Sequence, residues 1–385
     1  MSALAAHLNR HYKRWLAGMS VVVVLLTASV GLNRTNDVFN EYFDETFEVR
    51  RVNDFAMAEM TGMHRIDYAV PSGESGGTME PAYLQHLDAL MTWLEQQDEV
   101  VYATSYTNVI KRLNRDLHGG DPAYYRIPDS RELISQYTLL YELSLPQGLG
   151  LEDQLDIDKR QARAIVVLKN IGSKPVLDFN DRVEQWMQDN WPATMQTRGT
   201  GMDILFGRVT MRNIESMLGG ALIALVSVSV LLILALRSVR YGLLSLIPNL
   251  LPAAMAFGLW GLINGEIGLA VSVVACMTLG IVVDDTVHFL SKYVRAKREL
   301  GLNTEKAVDY AFRTVGVALV ATSVVLVANF AIIGTSHFYP NASMGLLSAI
   351  TIAMALFVDF FFFVPLLIAL DRARRSSQPG KAVIT

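Results

Sequence analysis

The sequence predicts a polytopic α-helical membrane protein of six spans, with an extracytoplasmic α/β domain of ferredoxin-like (split βαβ) type between spans one and two. Three observations carry this. Hydrophobic residues make up 51% of the 385 and charged residues only 18%, too apolar a balance for an ordinary soluble chain. The apolar residues collect in long runs at 15–32 and beyond 217. Charge is partitioned as well: residues 33–215 hold 18 Lys/Arg against 29 Asp/Glu, and the remainder 15 against 8. So acidic a block leaves no footprint for nucleic acid. The single Cys276 lies in a predicted span, so no intrachain disulfide can form.

Taken in order, residues 1–32 form a cytoplasmic N-terminus with Arg10, Lys13 and Arg14, then a first span from Trp15 to Leu32 without a charge. A cleaved signal peptide shares these features, but the uninterrupted apolar length favours a retained helix. Residues 33–215 read as the α/β domain. Candidate strands are 65–70, 100–106, 164–170 and 202–206, and helical patterns cover 81–97, 132–143 and 174–190. Two similar strand-helix-strand runs suggest a split βαβ sandwich. Residues 216–371 form a five-helix bundle, with apolar runs at 217–236, 241–263, 267–291, 315–334 and 342–370, and 372–385 are a cytoplasmic tail.

Basic residues cluster on alternate connections: Arg237 and Arg240; Lys292, Arg295, Lys297, Arg298, Lys306 and Arg313; Arg372, Arg374 and Arg375. The other short loops, NGEIG and TSHFYPN, have none. This pattern places both termini in the cytoplasm and the large domain outside. Residues 292–313 read either as an amphipathic helix along the inner face, broken at Gly301, or as a solvated linker.

Within the bundle, GIVVDDTVHFL (280–290) sets Asp284 and Asp285 inside a membrane helix, where an ionisable residue is costly and marks function by default. Fourth-neighbour spacing stacks Gly280, Asp284 and His288 on one stripe, and His288 can reach either carboxylate. No Lys or Arg lies within the apolar runs to act as counterion. Burial and mutual repulsion then favour the protonated form of at least one acid, giving a group able to take and release a proton. Asp359 in the sixth span is a further candidate, and Asn249, Thr322, Ser323 and Asn329 are polar groups that could support the acids. Each has a plain structural reading too: Asn249 could satisfy backbone freed by Pro248 and Pro252, and His288 could cap a helix end.

GIVVDDTVHFLSKY, LIPNLLPAAMAFGLWGL and NASMGLLSAITIA resemble the resistance-nodulation-division superfamily, specifically its MMPL-type, hopanoid-transporter-like exporters, and the layout agrees over nearly the whole chain. The 33–215 loop resembles the family in position and in EYFDE (41–45). The resemblance implies proton-driven export across a bacterial inner membrane, with Asp284 and Asp285 as proton relay, a periplasmic porter domain and a hydrophobic or lipid substrate. Two departures stand out. Family members usually carry two six-span halves, so a single half predicts a homodimer or a second half as partner. Multidrug members also pair their aspartates with a lysine, absent here, which points to protonation of an acid pair that changes how bundles pack.

The alternative is a non-transporting lipid-binding sensor or scaffold of sterol-sensing type, with structural aspartates. An enzyme has little support: no nucleophile elbow, metal-ligand spacing or phosphate loop is present, no cofactor is expected, and His64, His86 and His118 stand singly. Met57, Met60 and Met63 form a stripe read as core more readily than as a lipid contact.

Overall fold

The computed structural model describes residues 1–146 and 150–376. Most of the tail expected at 372–385 therefore lies outside the described residues. In chain order the elements are α1 (Ser2–Ala28), β1 (Arg34–Thr35), α2 (Glu48–Glu59), β2 (His64–Pro71), α3 (Pro81–Glu95), β3 (Val100–Ser105), α4 (Tyr106–Leu117), α5 (Arg131–Ser144), β4 (Gln161–Leu168), α6 (Ser173–Asn190) and α7 (Met202–Ala235). There follow α8 (Val239–Leu244), α9 (Leu246–Ile263), β5 (Glu266–Ile267), α10 (Leu269–Arg298), α11 (Thr304–Ala311), α12 (Val317–Ile333), α13 (Tyr339–Val358) and α14 (Val364–Ser376). The chain divides into two compact units. One holds Met1–Asp37, Tyr42–Asp44 and everything from Arg212, the other Val38–Glu41 and Glu45–Met211.

Among the described residues, six helices are long and apolar enough to cross a membrane: Ser2–Leu32, Met202–Ala235, Val239–Ile263, Leu269–Arg298, Thr304–Ile333 and Tyr339–Ala373. The protein is thus a mostly helical, multi-pass membrane protein. Glycines set how closely these helices approach. A side chain on Gly258 of α9 would meet the Leu26 carbonyl of α1 at 1.7 Å, and one on Gly345 of α13 would meet the Phe330 carbonyl of α12 at 2.7 Å. Small residues of this kind let membrane helices pack backbone to backbone.

Residues 292–313 form neither a separate surface helix nor a linker. Their first part completes α10, Gly301 turns the chain at φ +59°, and α11 passes through a π turn (Phe312–Gly316) into α12. The apolar phase of α10 simply continues past the charged residues, with Tyr293, Val294 and Ala296 buried. A second π turn, Asp359–Phe363, joins α13 to α14.

In the other unit β2, β4 and β3 form an antiparallel sheet in that order. Alternation along β2 buries His64, Ile66, Tyr68 and Val70, as a one-sided strand requires. They join a core with Leu84, Leu87 and Leu90 of α3 and Val176, Phe179 and Val183 of α6. Residues 202–206, expected as a fourth strand, are instead the first turns of α7. What remains strand-like is Thr200, which bridges Asp67 on the edge of β2 through reciprocal 2.9 Å backbone bonds. Gly201, at φ +136°, then turns the chain into the helix.

Candidate functional site

The aspartates at 284 and 285 point in different directions, as helical spacing of about 100° per residue requires. Asp285 is 8% exposed and accepts a hydrogen bond from the Ser323 hydroxyl of α12 at 3.3 Å. Asp359, 4% exposed at the π turn, faces it closely enough for the two carboxyls to repel each other when both are ionised. The neighbouring Thr286 hydroxyl donates to the Val282 carbonyl at 3.2 Å and is also a hydrogen-bond partner of Asp359. A hydroxyl can donate one proton and accept others. Thr286 can therefore serve both states of Asp359, donating to a carboxylate or accepting from a carboxylic acid. Asp359 Oδ1 is buried with no protein partner.

One side of this acid pair is closed by aromatic rings. Phe289, one turn along α10 from Asp285, stacks edge-on against Phe312 at 5.4 Å, and Phe312 against Phe360 at 5.0 Å, all three buried. Such a plug keeps water from one end of the site and raises the weight of every electrostatic contact inside it.

Asp284 stands apart. Its side chain is 70% exposed and contacts His288 Nε2 at 3.3 Å. Cys276, Gly280, Asp284 and His288 form one exposed stripe along α10, and a side chain added at Gly280 would meet nothing within 4 Å. The expected His288 contact thus falls on Asp284. Of the four supporting groups only Ser323 bonds an acid. Thr322 donates to the Ala318 and Leu319 carbonyls of its own helix at 3.0 Å, Asn329 is exposed, and Asn249 is buried among apolar residues with neither amide atom partnered. Asn249 therefore does not satisfy the backbone freed by the prolines.

Sequence reasoning missed Thr286, and also Asp371. The latter is 7% exposed in α14 and accepts from Tyr293 at 2.7 Å, Thr304 at 3.2 Å, Lys297 at 3.1 Å and Arg240 at 3.2 Å. It gathers α8, α10, α11 and α14 at one end of the bundle. A lone acid beside Arg372, among loops rich in Lys and Arg, was the available signal. No group of three or more His, Cys, Asp or Glu side chains placed to hold a metal occurs among the described residues.

Comparison with known proteins agrees with this layout. The model of the MMPL family matches residues 69–384. A protein of Methanocaldococcus jannaschii, named as a membrane protein, is 23% identical over 195 residues, 51% of this chain. The aligned part spans 49% of that relative.

Proposed function

The chain belongs to the MMPL family, and on that premise we propose that it is a proton-driven secondary exporter of a hydrophobic or amphipathic substrate, a lipid by preference. The observation that carries the proposal is the facing of Asp285 and Asp359, buried in two different spans with hydroxyls able to serve either protonation state. Two acids with no basic residue inside the apolar runs hold a single proton more readily than none or two. Taking up that proton removes the repulsion between α10 and the α13–α14 turn, and losing it restores the repulsion. Protonation thereby biases how the helices pack, which is the element a coupled transporter needs.

In this reading Asp285 and Asp359 carry the proton, with Ser323 and Thr286 as their hydrogen-bond partners. Asp284 and His288 lie on the exposed α10 stripe, where a charged pair facing lipid would be costly. A second copy, or a second six-span half, covers that stripe and brings the acids of two bundles together. The 33–215 region is the porter domain on the periplasmic side, away from the Lys/Arg-rich connections. The strand order β2-β4-β3, with Thr200 on the free edge of β2, supports a split βαβ sandwich whose fourth strand is reduced to a bridge.

The test is dissipation of an imposed pH gradient in vesicles of phosphatidylethanolamine and phosphatidylglycerol. Wild type should dissipate it faster than empty vesicles, and Asp285→Asn and Asp359→Asn should fall to the empty-vesicle rate. Undiminished flux in both variants would overturn the relay.

A further inference from the structure

We propose that the cavity between α1, α7, α9 and α10 is a binding site for a neutral amphipathic lipid with a single hydroxyl head, held by the Asn249 side chain. The cavity measures about 530 Å³, within the roughly 300–1,000 Å³ of small-molecule sites. Its wall is apolar, formed by residues such as Leu222, Ala253, Phe257 and Leu279, and it contains no charged side chain. Asn249 is the exception, 1% exposed with both amide atoms unpartnered. Buried polar groups are normally bonded, so an amide with a free donor and a free acceptor in an apolar wall marks a place for a ligand.

The chemistry of the amide selects the head. It presents N–H and C=O side by side, which complements a hydroxyl that both accepts and donates. An ionised headgroup would be buried without an opposite charge and is disfavoured. The apolar body then follows α9 from Asn249 toward Phe257, eight residues or about 12 Å of helix. Leu222 and Leu250 at the rim are 63% and 50% exposed, so the mouth opens on the flank of the helices that faces the bilayer. The ligand enters sideways from the membrane. Asp285 and Asp359 do not line the cavity, so the proposal does not depend on the proton relay.

The experiment uses the full chain in lipid nanodiscs with a diazirine-bearing long-chain alcohol and the matched alkane lacking the hydroxyl. The alcohol should label peptides from 218–225 or 249–257 saturably, with competition by unlabelled long-chain alcohol, and the alkane only in proportion to its concentration. Asn249→Leu should reduce the saturable labelling at least tenfold. Ala253→Trp, which fills the cavity while leaving Asn249 in place, should do the same and guards against a folding defect in the first variant. Asp285→Asn should label like wild type, separating this site from the relay. Equal labelling of Asn249→Leu and wild type, or of alcohol and alkane, would reduce the cavity to ordinary lipid contact and overturn the proposal.

Discussion

Ser323 donates its hydroxyl to Asp285 at 3.3 Å, linking α12 to α10 at the level where Asp359 approaches from the sixth span. A hydrogen bond to a charged group contributes about 1.5–3 kcal/mol. Ser323→Ala is therefore expected to lower gradient-driven proton flux in vesicles about tenfold or more, and Ser323→Thr, which keeps the hydroxyl, to stay near wild type.

The stripe of Cys276, Gly280, Asp284 and His288 gives a test of assembly. Gly280→Leu adds a side chain into space open in one chain, so the thermal stability of the solubilised protein should not fall. The same bulk should keep two bundles apart. Native mass spectrometry is expected to show a dimer for wild type and a monomer for the variant.

Asp37 offers a pH dependence outside the membrane. Burial raises its pKa, opposed by hydrogen bonds from the Leu269 N–H at 3.1 Å and the Tyr42 hydroxyl at 2.9 Å. A raised carboxyl binds its proton more tightly in the folded state. Stability from this group is therefore greatest below the unfolded value of about 3.9, falls as pH rises through the folded value, and is constant above it. Both donors reach the same oxygen, which asparagine can supply. Asp37→Asn should match or exceed wild-type melting temperature at pH 7, with its relative advantage shrinking toward pH 4. Asp37→Ala removes that acceptor and should melt lower at every pH.

Asp371→Asn removes the charge that balances Lys297 and Arg240 at the end of the bundle. With the acid buried but both cations partly exposed, the cost should be about 2–3 kcal/mol, less than for a fully buried pair. Thermal unfolding in detergent would read it as a lowered midpoint, partly mimicked in wild type by high salt.

Much of the membrane unit was legible because hydrocarbon imposes long uncharged runs, and a misplaced charge such as Asp284 or Asp285 stands out at once. The division of that pair into an inward and an outward acid was also within reach. Asp285 shares its face with Val282, Thr286 and Phe289, whereas Asp284 shares one with Gly280 and His288. Which helix supplies the partner was not legible, since Ser323 and Asp359 meet Asp285 only through packing of distant segments. Residues 202–206 show the opposite failure. Met-Asp-Ile-Leu-Phe is too short to reveal its period, and only the 34-residue helix it begins decides the matter. Asn249 was visible as a polar residue in an apolar span, but its lack of a partner is a fact of three dimensions.

The π turn at Asp359–Phe363 carries a different kind of consequence. A π turn admits one more residue than an α turn, so it acts as a gear between the two halves of the last membrane helix. Removing a single residue there would close the turn to regular α geometry and rotate everything beyond it by about 100°. Asp371 would swing away from Tyr293, Lys297 and Arg240 while Asp359 stayed in place. The orientation of the acid at mid-membrane and that of the acid at the bundle end are thus set independently, and chain length across five phenylalanine-rich residues is the dial between them.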